Sequence, residues 1–95
     1  MAVIGYARVS TEEQTLDSQL GELERNGASR VFSDVGVSGA VPAHRRPGFA
    51  ELLRFVRDGD VVLAYRLDRV SRSASDALNL VERLDAIGVE LRTLA

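Results

Sequence analysis

Ala2-Val3-Ile4-Gly5-Tyr6-Ala7-Arg8-Val9 is the stretch of this 95-residue chain that decides its fold. Its apolar residues fall on both faces of an extended chain, which is typical of a strand buried between two layers of helices. Alternation along the strand places Tyr6, Arg8 and, just beyond it, Ser10 on one face. Open α/β sheets bind ligands at the carboxyl ends of their strands. The stretch therefore predicts a buried strand that ends in a hydroxyl nucleophile with a cation one pleat behind it.

The rest of the chain alternates between helix and strand patterns. Further strands are predicted at residues 30–34, 61–65 and 89–94. Thr11 with Gln14 can form a capping box for a first helix, which ends at Asn26-Gly27. Pro47 suits the first turn of a second helix that Asp58-Gly59 stops, and Ser73 with Asp76 can cap a third that Gly88 ends. This order predicts an α/β fold: three layers, with a mostly parallel central sheet and βαβ crossovers.

Apolar spacing also predicts which helix faces are buried. For the second helix, the predicted buried face is Phe49, Leu52, Leu53 and Val56. For the third, it is Ala77, Leu78, Val81, Leu84 and Ile87. Residues 35–46 contain two glycines and a proline without helical periodicity, which predicts a mobile loop.

Composition limits the chemistry. The chain has no cysteine and a single histidine, His44, so a Ser-His-Asp triad and a thiolate or histidine-rich metal site are excluded. No cationic leader or long apolar run is present, and we expect a cytoplasmic protein without a membrane segment. The net charge is −2, yet all twelve basic residues are arginine. Codon bias explains this as well as function does, although an acidic protein can still carry one cationic cleft.

A second group of charges follows the third strand, in Leu67-Asp68-Arg69-Val70-Ser71-Arg72. If the chain turns helical there, Asp68, Arg69 and Arg72 share a face at the same sheet edge as Ser10. An isolated pattern of this kind is most often a surface ion pair. Beside a strand that ends in Arg8 and Ser10, it favours phosphate chemistry, since guanidinium groups neutralise phosphate oxygens.

The individual residues have plainer explanations as well. Ser10 could be a helix N-cap, and without a histidine its activation must come from arginines or from a carboxylate such as Asp68. Tyr6 could bind a phosphate or be a half-buried strand aromatic. Gln14 and Gln19 flank the predicted site, and Gln19 is the better candidate for contact with it.

Together these residues resemble the catalytic domain of the serine recombinases, the resolvase/invertase family of site-specific DNA recombinases. The resemblance runs along the whole chain, in Gly5-Tyr6-Ala7-Arg8-Val9-Ser10-Thr11 with Gln14, Leu16-Asp17-Ser18-Gln19, Phe32-Ser33-Asp34 with Ser38-Gly39, Arg46-Pro47-Gly48, Gly59-Asp60, Leu67-Asp68-Arg69 with Arg72-Ser73, and Gly88-Val89. Each piece is weak alone, but their order and spacing make the set specific.

The resemblance implies that Ser10 attacks a DNA phosphodiester to give a 5′-phosphoserine intermediate, followed by strand exchange and religation. It implies that the scissile phosphate is bound by arginines, namely Arg8, Arg46, Arg69 and Arg72. Asp68 would pair with Arg69 or assist proton transfer, and no metal or other cofactor is implied. Tyr6, Gln14, Gln19 and Arg45 are the further candidates for substrate contact.

Two departures from the family pattern matter. Val70-Ser71 stands where Leu-Gly is commonest. The 35–46 loop is slightly long and presents two arginines; Arg46, which precedes Pro47-Gly48, is the favoured catalytic one, and Arg45 is the alternative. Asp34 matches a family acidic position near the site, but a polar cap on the second strand explains it equally well.

The resemblance also implies a longer protein. Residues 1–95 would be the catalytic domain, and the family's dimerisation helix and DNA-binding region are not visible in the chain. DNA would be the partner, with a homodimer and a synaptic tetramer in the full-length protein. Two rivals are a non-catalytic phosphate- or nucleotide-binding α/β module, and a metal-dependent phosphoryl-transfer domain using Asp34, Asp60 or Asp68. Arginines beside the acids disfavour the second.

Overall fold

The first strand lies in the middle of a parallel sheet. A computed structural model describes residues 1–9, 15–38, 40–71 and 73–94, without the side chains of residues 15, 16, 68 and 69. Its strands are β1 (Val3–Val9), β2 (Arg30–Val35), β3 (Val61–Ala64) and β4 (Glu90–Thr93). They are ordered β2-β1-β3-β4, and each neighbouring pair is parallel. The predicted α/β fold with parallel crossovers is confirmed.

The helices form a layer on each side of this sheet. They are α1 (Thr15–Arg25), α2 (Pro47–Phe55), α3 (Leu67–Val70) and α4 (Ala74–Ala86), with a 3-10 turn at Ala43–Arg45 inside the predicted loop. Residues of α2, α3 and α4 pack with Ile4 and Tyr6 of β1 in the larger core. Leu23 of α1 packs with Ala7 and Leu63 on the other face. Both faces of β1 are therefore covered, as the apolar residues on its two faces predict.

The predicted first turn of α2 is confirmed, but the predicted end is not. Pro47 occupies the first helical turn, where its missing N–H costs nothing. The helix ends at Phe55 instead of continuing to Asp58-Gly59, because Val56 turns extended (φ −70°, ψ 155°). Val56 is still buried, but beyond the end of the helix rather than on its face.

The cap of α4 is confirmed, whereas its predicted buried face is wrong in part. The Ser73 hydroxyl accepts a hydrogen bond from the Asp76 backbone N–H at 3.2 Å. Leu80 and Leu84 are the buried residues, whereas Leu78 is 59% exposed and Val81 37% exposed. The helix is rotated so that positions 80 and 84, four residues apart, face the sheet.

The segment after β3 is helical for one short turn only. α3 ends at Val70, and Ser71 is extended (φ −144°, ψ 145°) with its hydroxyl donating to the Ser73 carbonyl at 2.9 Å. The expected helix shared by Asp68 and Arg72 is therefore wrong, since the helical turn does not extend past Val70. Arg72 itself and the Thr11–Gln14 capping box lie outside the described residues.

Arg30, the first residue of edge strand β2, lies over two aromatic rings that contact each other. The Arg30 guanidinium carbon lies 4.8 Å from the ring centre of Phe32 and 4.7 Å from that of Phe55. Cation–π contacts of this length join α2 to the strand. Of the helices in the described ranges, none is long and apolar enough to span a membrane.

Candidate active site

Several buried polar side chains lie close together at the carboxyl ends of β1 and β2. Arg8 and Asp34 are neighbours in the β1–β2 register. They are 7% and 5% exposed, and Arg46, at the start of α2, is 1% exposed. Charged groups are buried this deeply only when hydrogen bonds compensate the lost hydration.

Asp34 accepts hydrogen bonds from three separate donors. Its Oδ1 accepts from the Gly48 backbone N–H at 2.8 Å, and its Oδ2 from the Phe49 backbone N–H at 3.1 Å. Oδ2 also accepts from the Tyr6 hydroxyl at 2.8 Å. Gly48 and Phe49 are the second and third helical residues of α2, whose first N–H groups have no partner within the helix. A side chain from β2 thus caps α2.

Tyr6 lies completely inside the core beneath this carboxylate. Its ring meets the Phe49 ring edge-to-face at 4.8 Å between centroids. Burial raises the pKa of the Tyr6 phenol well above its ordinary value; nearby Arg46 opposes that shift, and the hydrogen bond to Asp34 adds to it. Tyr6 is therefore a neutral phenol whose hydrogen points at Asp34.

Arg46 is the arginine of the 35–46 loop that joins this cluster. Its Nη1 donates to the Tyr6 hydroxyl at 3.3 Å, and its Nε donates to the Val41 carbonyl at 3.0 Å. It is the N-cap residue of α2, so the start of that helix fixes its backbone. Arg45, one residue earlier, is exposed at the end of the 3-10 turn.

Arg8 is bound to the same loop from the strand side. Its Nη1 donates to the Val37 carbonyl at 3.0 Å. Gln19 of α1 is also buried and donates from Nε2 to the Arg8 carbonyl at 3.4 Å. The Gln19 Oε1 atom accepts no hydrogen bond from the described part of the chain. Gln19 thus lies against the carboxyl end of β1.

The other predicted site residues are only partly placed. Ser10, Gln14 and Arg72 lie outside the described residues, and so do the side chains of Asp68 and Arg69. The backbone of those two residues belongs to α3, which packs against β1 beyond the carboxyl end of β3. The second charged segment therefore reaches the sheet edge at which Arg8 lies.

A cleft of about 610 Å³ opens on the far side of Arg46, between the 3-10 turn and α4. Its wall includes Pro42, His44, Val70 and Leu80. Of the predicted site residues that the structure describes, Arg46 alone lines it. In the same ranges, no group of three or more His, Asp or Glu side chains is placed to hold a metal ion.

Sequence analysis did not predict that Asp34 and Gly48 connect the end of β2 to the first turn of α2. A Cβ added at Gly48 would lie 2.2 Å from the Ser33 carbonyl oxygen and 2.9 Å from Asp34 Oδ2. The close approach brings the first turn of α2 onto the end of β2. The only signal in the sequence is a glycine after Arg46-Pro47, where a turn explains it equally well.

Comparison with protein families gives one match over nearly the whole chain. The family described as "Resolvase, N terminal domain" matches residues 3–95. A probable DNA-invertase, y4cG, from Sinorhizobium fredii (strain NBRC 101917 / NGR234) is 47% identical over 92 residues, covering 97% of this chain and 29% of that protein. The Transposon Tn552 resolvase of Staphylococcus aureus is 41% identical over 91 residues, covering 96% and 45%. The chain thus spans half or less of the length of these curated relatives.

Solved structures have the same fold. The N-terminal catalytic domain of TP901-1 integrase superposes with a TM-score of 0.79 at 29% identity, covering 99% of this chain and 77% of that one. The C-terminal catalytic domain of ISC1926 TnpA, an IS607-like serine recombinase, gives a TM-score of 0.81 at 24% identity, covering 100% and 68%. At that lower identity the similarity shows the fold alone.

Proposed function

Because this chain belongs to the resolvase N-terminal domain family, we propose that residues 1–95 are the catalytic domain of a site-specific DNA recombinase in which Ser10 is the nucleophile. One observation supports this most directly. Arg8 is buried on β1, which ends one residue before Ser10, and the buried Arg46 guanidinium is hydrogen-bonded to Tyr6 of the same strand. A DNA phosphate bound there would lie beside two fixed cations.

The proposed reaction is a transesterification at one DNA phosphodiester, in which the serine oxygen replaces the 3′ oxygen on phosphorus. The Ser10 hydroxyl oxygen attacks the phosphorus, the bond from phosphorus to the 3′ oxygen breaks, and a 5′-phosphoserine link forms. The serine proton leaves with the attack, and the departing 3′ oxygen gains a proton to become a hydroxyl. Because the phosphoserine link conserves the energy of the broken phosphodiester bond, the free 3′ hydroxyl can later attack this link and reseal a strand without ATP.

Arginine supplies the electrostatic part of this mechanism. Arg8, Arg46, Arg69 and Arg72 would stabilise the negative charge that grows on the phosphoryl oxygens. Activation of Ser10 falls either to these cations or to the Asp68 carboxylate, which would accept the proton. Neither route uses a metal ion. Gln14, Gln19 and Arg45 are proposed to line the path of the DNA.

The partners follow from the same proposal. DNA containing a recombination site is the substrate, acted on in the cytoplasm. Cleavage would take place in a synaptic tetramer assembled from homodimers, through segments beyond residue 95.

The test joins residues 1–95 to the C-terminal part of the Transposon Tn552 resolvase and supplies that relative's recombination site, nicked to trap cleavage, with EDTA present. We expect a covalent protein–DNA adduct that disappears in Ser10→Ala. Ser75→Ala, which removes an exposed hydroxyl on α4, serves as the matched control and keeps the adduct.

An adduct that persists in Ser10→Ala, or cleavage that requires magnesium, contradicts the proposal. A chimera that binds DNA through Arg8 but never forms an adduct would instead support the non-catalytic phosphate-binding module.

A further inference from the structure

We propose that Tyr6 and Asp34 are positioning residues, which orient the Arg46 guanidinium and do not themselves contact the DNA phosphate. This inference rests on the proposed function and deepens it. It also replaces the expectation that Tyr6 binds the substrate.

The Tyr6 hydroxyl both donates and accepts a hydrogen bond within the protein. A phenol has one hydrogen to donate, and that hydrogen goes to Asp34 Oδ2 at 2.8 Å. Its oxygen is the acceptor for Arg46 Nη1 at 3.3 Å. The Tyr6 side chain has no exposed surface. A phosphate oxygen needs a donor, so Tyr6 can act on the phosphate only through Arg46.

Asp34 fixes the backbone from which Arg46 projects. Its two oxygens bind the first free N–H groups of α2, at Gly48 and Phe49. Arg46 is the N-cap of this helix, two residues before Gly48. The carboxylate also complements the positive end of the helix. Loss of either contact frees the first turn of α2 and moves the Arg46 backbone with it.

Two of the routes that hold Arg46 therefore meet at one carboxylate. One route runs through side chains, from Arg46 to Tyr6 to Asp34. The other runs through the backbone, from Arg46 to Gly48 and Phe49 and again to Asp34. Gly48 supports the second route independently, because only the lack of a Cβ permits the approach of α2 to the Ser33 carbonyl.

Pre-orientation matters because small displacements of a catalytic group are costly in rate. A shift of about 1 Å can reduce a reaction by about a hundredfold. Tyr6→Phe removes the acceptor for Arg46 while retaining the ring that packs on Phe49. We expect adduct formation to slow by about tenfold and DNA affinity to stay unchanged.

The experiment is a double-mutant cycle on the chimera. Single-turnover rates of adduct formation at saturating DNA are compared for the unmodified chimera, Tyr6→Phe, Arg46→Ala and the double variant, each normalised to its folded fraction. If Tyr6 acts through Arg46, Tyr6→Phe slows the reaction only when Arg46 is present, and the double variant matches Arg46→Ala. Tyr65→Phe, a half-buried phenol elsewhere, is the matched control.

Two results would overturn the inference. If Tyr6→Phe slows Arg46→Ala by the same factor as the unmodified chimera, Tyr6 acts on the phosphate by a route that does not involve Arg46. The inference is equally wrong if Tyr6→Phe weakens DNA binding. Asp34→Asn, repeated in both backgrounds, provides a second variant should Tyr6→Phe fail to fold. The proposed function fails separately, if the unmodified chimera forms no adduct or Ser10→Ala retains it.

Discussion

At the scale of single residues, Gly48 is the position with the least room. It is not needed for an unusual backbone angle, because it is absent from the glycines with positive φ. What it provides is space. A methyl group there would overlap the Ser33 carbonyl, a backbone atom of the sheet that has no means of turning away.

We expect Gly48→Ala to lower the free energy of unfolding by about 2 kcal/mol or more, because overpacking at a rigid site forces the backbone apart. Urea denaturation of residues 1–95 measures this. Gly21→Ala in α1 is the matched control, since its new methyl would meet only the mobile end of Arg25 at 3.3 Å. Alanine is the better helix former, so this variant should gain about 0.5–1 kcal/mol. Equal effects of the two substitutions would contradict the close packing of α2 on β2.

At the scale of elements, α4 depends on its N-terminal cap. Ser73 is the N-cap residue and its hydroxyl accepts from the Asp76 N–H, and Asp76 adds a negative charge near the positive end of the helix. The helix contributes Leu80 and Leu84 to the larger core. Its start therefore affects the packing of the sheet face that holds Tyr6.

Ser73→Ala should destabilise the protein by about 1 kcal/mol, because it leaves one N–H of the first turn without its side-chain acceptor. The midpoint of thermal or urea unfolding is the measurement. Ser75→Ala, inside the first turn, should stay within about 0.5 kcal/mol of the unmodified chain. A Ser73 variant as stable as the Ser75 variant would show that the cap does not contribute to the stability of the fold.

Elements were predictable from sequence where local chemistry specifies them. Pro47 starts α2 and Ser73 starts α4 because a fixed φ and a hydroxyl acceptor act within one turn. The faces of helices were less predictable. Leu78 and Val81 fit the apolar stripe as well as Leu80 does, and only packing against the sheet decides which of them is buried.

The site was predictable to a similar extent. The face on which Arg8 lies follows from strand alternation, whereas Arg46 was favoured over Arg45 through the resemblance to the family pattern, in which the arginine precedes Pro47-Gly48. The link through Asp34 could not be derived, because it joins residues 28 and 14 positions apart. Such contacts depend on the register of β1 with β2 and on the docking of α2.

At the scale of the whole molecule, Asp60 joins the strand ends opposite the candidate site. Its carboxylate accepts from the Arg57 N–H at 2.9 Å and from the Ala2 N–H at 3.0 Å. These two hydrogen bonds lower the pKa of Asp60, with Arg57 contributing most. The contact connects the start of β1 to the turn before β3.

We expect Asp60→Asn to destabilise the chain at neutral pH, with a difference that shrinks in acid. A carboxyl whose pKa is lower in the folded state stabilises the fold above its unfolded pKa of about 3.9 and loses this contribution as the pH falls further. Unfolding free energies measured from pH 7 to pH 2 test this. A difference that stays constant across that range would mean that the Asp60 charge has no part in the contact.

Synthesis of the chain gives the Asp34 cap a further consequence. A ribosome synthesises β1 and β2 before residues 48 and 49, so Tyr6 and Asp34 are part of the chain before the helix that they hold. The Asp34 carboxylate, which binds the first turn of α2, is therefore synthesised before that helix. A nascent or truncated chain that stops short of Phe49 has no complete means of orienting Arg46. Under the proposed function, the ability to cleave DNA would therefore arise only after the second helix has left the ribosome and docked.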